Sequence, residues 1–377
     1  MTASFDGTSG TCPAHVMTIY VVPKPVAITM YGFRTSNMDQ HRLAIATISM
    51  DWHQSHDLFD KASAAAANGF KGVELVFGDL EKAAASRNQS LRECSASFKK
   101  HCETLHLEII SLAPFENFEG SPLPLAQRLR TATEWVEIAR IVGAEFIQVP
   151  ASFDHASLQA SEDDIVTELR HLADCGLPRP GSSEHTITFA YEPMSWSVRS
   201  DTWQHALYIK HRVSRENFKL CLDTYHILTK LWADCTEPDG RIPGGDAALQ
   251  MSLRESLRVL RPSDMGFVQL SDAEIMDPPV TFSHLRDVGK QYAWHWSGCG
   301  RIFPLEAEHG AYLPMLEIVR TWLIELGWSG WVSMEIFHES MNEKARGPEY
   351  WANRGMESWR RLQDEVGGRK SKEGSKL

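Results

Sequence analysis

Four polar side chains in this 377-residue sequence stand where short, strongly apolar runs come to an end. Each run has the length and the β-branched or aromatic content of a buried strand, and the segments between the runs are long enough for return helices. In a parallel βα barrel, the C-terminal ends of the strands converge on one mouth. Three carboxylates that meet there would repel one another unless a cation lies among them. The four residues are Glu192, Asp223, Gln269 and Glu335.

The types of these side chains indicate the kind of cation. Carboxylate and amide oxygens are hard ligands that suit Mn²⁺ or Mg²⁺, with Co²⁺ as a further candidate, better than Zn²⁺, which prefers His and Cys. Taken singly, each acidic residue has an alternative role as a solvated group or as the partner of a nearby Arg. Their joint position at four successive strand ends favours one divalent metal ion.

Four further residues are candidates for contacting a metal-bound substrate. His226 lies three residues after Asp223 and is a candidate general base. Arg301 lies in a Gly-rich loop, and its guanidinium could hold a substrate carboxylate with two hydrogen bonds. Trp196 is a candidate wall of the pocket, and Glu74 ends an earlier strand-like run. For His226, Arg301 and Trp196 the alternatives are capping, solvation and core packing.

Strand-like runs alternate with helical patterns along most of the chain. Strands are predicted at residues 43–49, 72–76, 108–113, 145–150, 186–192, 218–223, 265–270 and 331–337. Helices are predicted at residues 56–68, 91–104, 125–142, 162–173, 201–213, 247–260, 313–326 and 349–366. Eight βα units predict an α/β fold, a closed (β/α)8 TIM barrel. A doubly wound open sheet is the alternative, but no G-x-G-x-x-G follows the first strand.

Two irregular segments interrupt the βα alternation, at residues 234–246 and 271–312. The second follows the seventh strand and contains two Trp residues and several Gly residues. A loop of that length on a compact barrel is usually a lid or a binding loop. We therefore expect this long insertion to cover the mouth at which the strand-end residues meet.

The composition excludes some classes of partner and leaves others open. The net charge of −11 and the pI near 5.8 argue against a nucleic-acid partner. The apolar stretch at 16–30 is short and contains prolines, so no membrane span is expected. Seven scattered cysteines without a C-x-x-C pair favour reduced thiols in an intracellular protein. A homo-oligomer remains an open alternative.

The two ends of the sequence differ from its centre. Residues 1–41 are poor in charge and read as an irregular extension, residues 42–366 as the catalytic barrel, and residues 367–377 as a flexible tail. The tail ends in Ser375-Lys376-Leu377, a tripeptide that the peroxisomal import receptor reads as an address. The expected location is therefore the peroxisome, and otherwise the cytoplasm.

Several sequence runs are shared with a known family. They are FAYEPMSWSVRSDTW (189–203), CLDTYHILTKLWAD (221–234), FVQLSDAE (267–274), RIFPLEAEHGAYLP (301–314) and GWVSMEIFHESM (330–341). In these runs the chain resembles the xylose-isomerase-like barrel superfamily of sugar isomerases and epimerases and, within it, the fungal 3-dehydroshikimate dehydratases. Gln269 stands where many sugar epimerases carry a metal-binding His, which narrows the resemblance to the dehydratases.

The resemblance implies a reaction and roles for the residues above. Glu192, Asp223, Gln269 and Glu335 would bind one divalent metal, with His226 as the base. The implied reaction is dehydration of 3-dehydroshikimate to protocatechuate through an enediolate, in quinate and shikimate catabolism. Arg301 would hold the ring carboxylate.

Three alternatives to the dehydratase remain at this stage. The first is a ketose 3-epimerase or sugar isomerase of the same superfamily. The second is an endonuclease acting on abasic DNA, for which neither a set of His ligands nor a basic groove is visible. The third is a barrel without catalytic activity that serves as a scaffold. After the third strand the sequence departs from the pattern of the dehydratases that it resembles. A basic or His-containing segment is expected there, but the chain has Asn117.

Overall fold

Eight parallel strands form a closed barrel in the structure, a computed structural model that describes residues 38–285 and 291–367. The barrel strands are β1 (Arg42–Ala46), β2 (Gly72–Val76), β3 (Glu108–Ala113), β4 (Phe146–Pro150), β5 (Thr188–Glu192), β6 (Phe218–Asp223), β7 (Met265–Leu270) and β10 (Trp331–Met334). Strand β1 pairs with both β2 and β10, which closes the ring. The predicted (β/α)8 barrel is therefore confirmed, and each barrel strand lies within three residues of its predicted bounds.

Helices surround the barrel. They are α1 (Leu58–Ala67), α2 (Phe77–Ser86), α3 (Leu91–Thr104), α4 (Leu125–Val142), α5 (Glu162–Cys175), α6 (Trp203–Val213), α7 (Thr224–Leu231), α8 (Gly245–Val259), α9 (Tyr292–Gly300), α10 (Met315–Val319, continuing as a π-helix over Arg320–Glu325) and α11 (Pro348–Gly367). The eight predicted helices are present with ends within two residues. Helices α2, α7 and α9 were not predicted.

An apolar layer fills the centre of the barrel. It consists of Ala44, Ile110, Phe146, Ala190, Cys221, Phe267 and Trp331. The layer depends on Gly72, because a Cβ there would lie 2.8 Å from Ile110 and 2.9 Å from the Trp331 ring. Successive side chains of a strand face opposite sides, so a residue two positions after a member of this layer also faces the interior.

This alternation places a polar layer directly above the apolar one, toward the C-terminal ends of the strands. Its members on β4 to β7 are Gln148, Glu192, Asp223 and Gln269. Glu335 follows the last residue of β10 and lies four positions after Trp331. The pairing registers set Asp223 beside Gln269 and Gln269 beside Ser333. The fold thus gathers the strand-end residues at one end of the barrel.

The long insertion after β7 forms a small structure of its own. Strands β8 (Asp272–Ala273) and β9 (Arg301–Ile302) pair antiparallel, and α9 precedes β9. The shorter irregular segment meets this insertion, because the hydroxyl of Tyr312 donates to the carbonyl of Gly240 at 2.8 Å.

Several predictions concern residues outside those that the structure describes. The extension lies there except for residues 38–41, and so does the tail beyond residue 367, including Ser375-Lys376-Leu377. The cysteines within the described ranges are free thiols. No helix formed by residues 38–285 or 291–367 combines the length and apolar character that a membrane crossing requires.

Candidate active site

Glu192, Asp223 and His226 form the centre of the polar layer. One ligand atom from each lies within 4.8 Å of the others, and all three side chains are buried. Nε2 of His226 is 3.4 Å from Oε1 of Glu192 and 3.7 Å from Oδ2 of Asp223. Asp223 ends β6 and His226 lies in the first turn of α7, so the strand-to-helix turn fixes their separation.

Arg301 joins Asp223 to Glu335. Its Nη2 donates to Oδ2 of Asp223 at 2.6 Å and to Oε2 of Glu335 at 3.2 Å, and its Nε donates to Oγ of Ser271 at 3.1 Å. Arg301 is 1 % exposed, and its guanidinium lies over the rings of Tyr225 and Phe337. The pairing of β9 with β8 therefore brings this arginine into the carboxylate cluster, where it is the partner of two acidic residues.

Gln269 lies in the same layer but contacts different residues. Its Nε2 donates to both carboxylate oxygens of Glu74, at 3.3 and 3.2 Å, and its Oε1 accepts from the Cys221 thiol at 3.0 Å. Glu74 reaches it from β2, across the barrel, and both side chains have no exposed surface. In the structure Glu74 thus contacts Gln269, a predicted metal ligand. The sequence analysis predicted that Glu74 contacts the substrate.

Burial and mutual repulsion disfavour ionisation of the clustered carboxyl groups. Burial raises the pKa of Glu74 to about 8, and the charge of Glu335 adds to this. Burial raises the pKa of Glu335 to about 7, against the lowering effect of Arg301. For Glu192, burial and then the charges of Glu335 and Asp223 raise the pKa well above its usual range. Asp223 also has a raised pKa because of burial, which Arg301 opposes.

This group of residues fits a divalent cation. Among the described residues of the cluster, four carboxyl groups share a single guanidinium, so ionising all of them leaves an uncompensated negative charge. Oε1 of Gln148, buried beside Glu192, has no hydrogen-bond partner within the described chain. A cation among these oxygens would stabilise the ionised carboxylates, and hard oxygen donors suit Mg²⁺ or Mn²⁺.

Aromatic rings enclose His226. The indole of Trp196 meets the imidazole edge-on with 4.5 Å between centroids, and Trp294 of α9 stacks on Trp196 at 6.0 Å and 7°. Burial lowers the pKa of His226 well below its usual range, and the charge of Arg301 lowers it further. Trp196 therefore lies against His226, and the insertion supplies Trp294 as a second ring. Contact of Trp196 with a substrate stays a prediction.

The sequence left some contacting residues without a role. Gln148 lies in β4, and its amide donates to Glu192. Ser271, which contacts Arg301, and Ser195, which contacts His226, lie in loops without a distinguishing pattern. Asn117 links two loops, because its Oδ1 accepts from the main-chain N–H groups of Phe153 and Asp154, each at 3.2 Å.

A closed barrel with an acidic cluster at its mouth defines the class of protein. The chain belongs to the xylose isomerase-like TIM barrel family, whose sequence model matches residues 62–362. It is 34 % identical over 339 residues to the 3-dehydroshikimate dehydratase of Neurospora crassa, a match that covers 85 % of this chain and 93 % of that protein. The resemblance inferred from the sequence is therefore confirmed.

A bacterial relative matches over a shorter stretch. A Pseudomonas aeruginosa 3-dehydroshikimate dehydratase is 28 % identical over 187 residues, which cover 49 % of this chain and 26 % of that protein. The chain therefore spans about a quarter of this relative's length.

Solved structures share the fold. A xylose isomerase-like barrel fused to a 4-hydroxyphenylpyruvate dioxygenase has a TM-score of 0.66 and 23 % identity, covering 86 % of this chain and 43 % of that one. The IOLI protein with a bound zinc atom has a TM-score of 0.62 and 14 % identity, covering 86 % and 99 %. The probable 3-DHS dehydratase AsbF of Bacillus anthracis has a TM-score of 0.57 and 15 % identity, covering 85 % and 98 %.

Proposed function

We propose that this protein is a metal-dependent hydro-lyase that converts 3-dehydroshikimate into protocatechuate and water. The observation that carries the proposal is the 34 % identity to the Neurospora crassa dehydratase, which extends over 93 % of that protein. The buried acidic cluster at the barrel mouth supports the proposal, because its carboxylates would hold a cation. A reaction that develops negative charge on a ketone oxygen needs such a fixed positive charge nearby.

Glu192, Asp223, Gln269 and Glu335 would hold the metal, which we propose to be Mn²⁺ or Mg²⁺. The bound metal would act as a Lewis acid that stabilises negative charge on the C3 oxygen of the substrate. Arg301 would keep Asp223 and Glu335 ionised through its hydrogen bonds to them. Its contact with the substrate carboxylate stays a prediction, since two of its nitrogens already donate to protein groups.

The dehydration needs three changes in the substrate. A base takes the proton from C4, which the C3 carbonyl makes acidic. The C5 hydroxyl takes up a proton and leaves as water, which balances the proton removed from C4. A proton is then lost from C6 as the C3 oxygen gains one, which makes the ring aromatic. The burial of Glu192, Asp223 and His226 keeps bulk water away from the reacting atoms.

An absorbance assay tests the proposed function. The full chain, stripped with EDTA and then supplied with Mn²⁺ or Mg²⁺, should convert 3-dehydroshikimate to protocatechuate, which is followed by its ultraviolet absorbance and identified by mass. EDTA should stop the reaction and added metal should restore it. Asp223→Asn should lack the activity under all conditions, because it removes a metal ligand and a partner of Arg301.

The same preparation should be offered a ketohexose such as D-tagatose. Turnover of the sugar without formation of protocatechuate would replace the dehydratase with the ketose 3-epimerase. No turnover of either substrate by metal-loaded protein would contradict both enzymatic functions and favour a barrel that serves as a scaffold.

A further inference from the structure

His226 has polar partners on both ring nitrogens. On one side, the main-chain N–H of Ser195 donates to Nδ1 at 3.3 Å, and the hydroxyl of the same residue lies 3.4 Å from Nδ1. On the other side, Nε2 faces Oε1 of Glu192 at 3.4 Å and Oδ2 of Asp223 at 3.7 Å. All of these groups are buried.

These contacts determine where the imidazole carries its proton. A main-chain N–H can only donate, so Nδ1 must present its lone pair to Ser195 and is unprotonated. A neutral imidazole with an unprotonated Nδ1 carries its hydrogen on Nε2. Nε2 faces carboxylate oxygens, which accept hydrogen bonds when they are ionised. The hydrogen bond from Ser195 therefore sets the tautomer, and the charges of the two carboxylates near Nε2 favour the same one.

The surrounding rings oppose a half-turn of the imidazole about its Cβ–Cγ bond. Trp196 meets the imidazole edge-on at 4.5 Å and 75°, and Tyr225 meets it at 5.7 Å and 85°. A half-turn of the ring would put carbon atoms where Nδ1 and Nε2 now lie. Such a turn would lose the hydrogen bond from Ser195 and both carboxylate contacts together.

We propose that His226 carries its hydrogen on Nε2, where it points toward the carboxylates of Glu192 and Asp223 and favours their ionised form, and that it is not the base that takes the substrate proton. The proposal rests on the proposed function, because it concerns the carboxylates that would hold the metal in that reaction. The only lone pair of the ring, on Nδ1, points at a main-chain N–H and away from Glu192 and Asp223. His226 is thus a positioning residue.

The tautomer can be read directly by NMR. In the full chain, labelled with ¹⁵N-histidine and loaded with diamagnetic Mg²⁺, the ring signal that disappears in His226→Gln should have a pyridine-like Nδ1 and a pyrrole-like Nε2. The pattern should persist when protocatechuate is added. An Nδ1–H tautomer or an imidazolium at neutral pH would overturn the proposal. This measurement needs no turnover, so its result does not depend on whether the protein is a dehydratase.

Two variants separate a donor from a base. The amide of His226→Gln can accept from Ser195 and donate to the carboxylates, but it cannot take a proton. We expect kcat of His226→Gln to stay within about 10-fold of the wild type, while His226→Ala loses up to about 10²-fold. Mn²⁺ affinity of the EDTA-stripped proteins, measured by calorimetry, should fall about 10- to 100-fold in the Ala variant and less in the Gln variant.

Equal loss of kcat in both variants, with unchanged Mn²⁺ affinity, would overturn the proposal and return the base role to His226. If the wild type shows no dehydration while the NMR and Mn²⁺ results hold, the proposed function fails and the assignment of His226 stands.

Discussion

Glu74 of β2 and Gln269 of β7 come from strands that β1 and β10 separate, and they meet in the barrel interior. Both carboxylate oxygens of Glu74 accept from the amide nitrogen of Gln269 there. The Cys221 thiol donates to the amide oxygen of the same side chain. Together these contacts determine which end of the amide is oxygen and which is nitrogen. Since only the oxygen can bind a metal, Glu74 controls the orientation of a candidate ligand.

Replacing Glu74 should therefore weaken metal binding. We expect Glu74→Leu to lower the Mn²⁺ affinity of the EDTA-stripped protein by about 10- to 100-fold, because the amide of Gln269 is then free to turn. Glu74→Gln should lose less, since its amide oxygen still accepts from Gln269. Calorimetric titration with Mn²⁺ measures both. Wild-type affinity in the Leu variant would mean that Gln269 is not a ligand or that Glu74 does not orient it.

Metal should also stabilise the fold. A cation that binds the folded state alone adds about 2.7 kcal/mol to the free energy of unfolding at 100 times its Kd. We expect Mn²⁺ or Mg²⁺ to raise the Tm of the stripped wild type in calorimetry and to leave the Tm of Asp223→Asn nearly unchanged. A similar rise in both proteins would place the bound metal elsewhere on the molecule.

The strand-end residues could be predicted because they depend on local rules. Alternation along a strand places Glu192, Asp223 and Gln269 in the interior, and parallel strands set them at one end of the barrel. Which atoms they contact was not predictable. The partner of Gln269 comes from β2, far away in sequence, and depends on side-chain rotamers that the sequence does not specify.

Arg301 illustrates the same limit. Its place in a Gly-rich loop suggested a group that reaches the substrate, but the loop contains α9 and a strand that pairs with β8, and this pairing buries the guanidinium against Asp223. The two strands are two residues each, too short for a periodic pattern to reveal. The metal set itself, which depends on how these side chains respond to a cation, stays a prediction.

Asp272 fixes the loop that follows Arg301. Its carboxylate accepts main-chain N–H groups of Ala273, Leu305, Tyr312 and Leu313 at 2.9 to 3.2 Å, although it is almost fully buried. Asp272 also pairs with the residue after Arg301 across the β8–β9 sheet. One side chain therefore joins three separate parts of the insertion.

Removing this carboxylate should loosen the part of the insertion that carries Arg301. Asp272→Ala leaves four main-chain donors without their acceptor, so we expect the free energy of unfolding to fall by about 3 kcal/mol or more. Asp272→Asn keeps one oxygen and should fold, with a lower kcat/KM for the dehydration. The exposed Asp239→Asn is the matched control. Denaturant titrations measure the stability and steady-state assays measure kcat/KM. A wild-type kcat/KM in Asp272→Asn would mean that the hydrogen bonds of Asp272 are not needed for catalysis.

Glu119 should make the stability depend on pH. Burial raises its pKa to about 7, although its Oε1 accepts from the Ser152 N–H at 2.6 Å and from the Tyr191 hydroxyl at 3.0 Å. Its Oε2 is buried without a partner among the described residues. In the unfolded chain the pKa returns to about 4.5. Between these values the folded state binds more protons than the unfolded state, so stability falls as pH rises.

The fall in the free energy of unfolding due to Glu119 should be on the order of 3 kcal/mol between pH 4.5 and 7. Glu119→Gln resembles the protonated carboxyl group at every pH. Urea denaturation should therefore show the variant close to the wild type at pH 5 and more stable than it at pH 8. Exposed Glu81→Gln serves as the control and should follow the wild type at both values. If Glu119→Gln is less stable than the wild type at pH 8, the buried carboxylate is ionised and held by its hydrogen bonds.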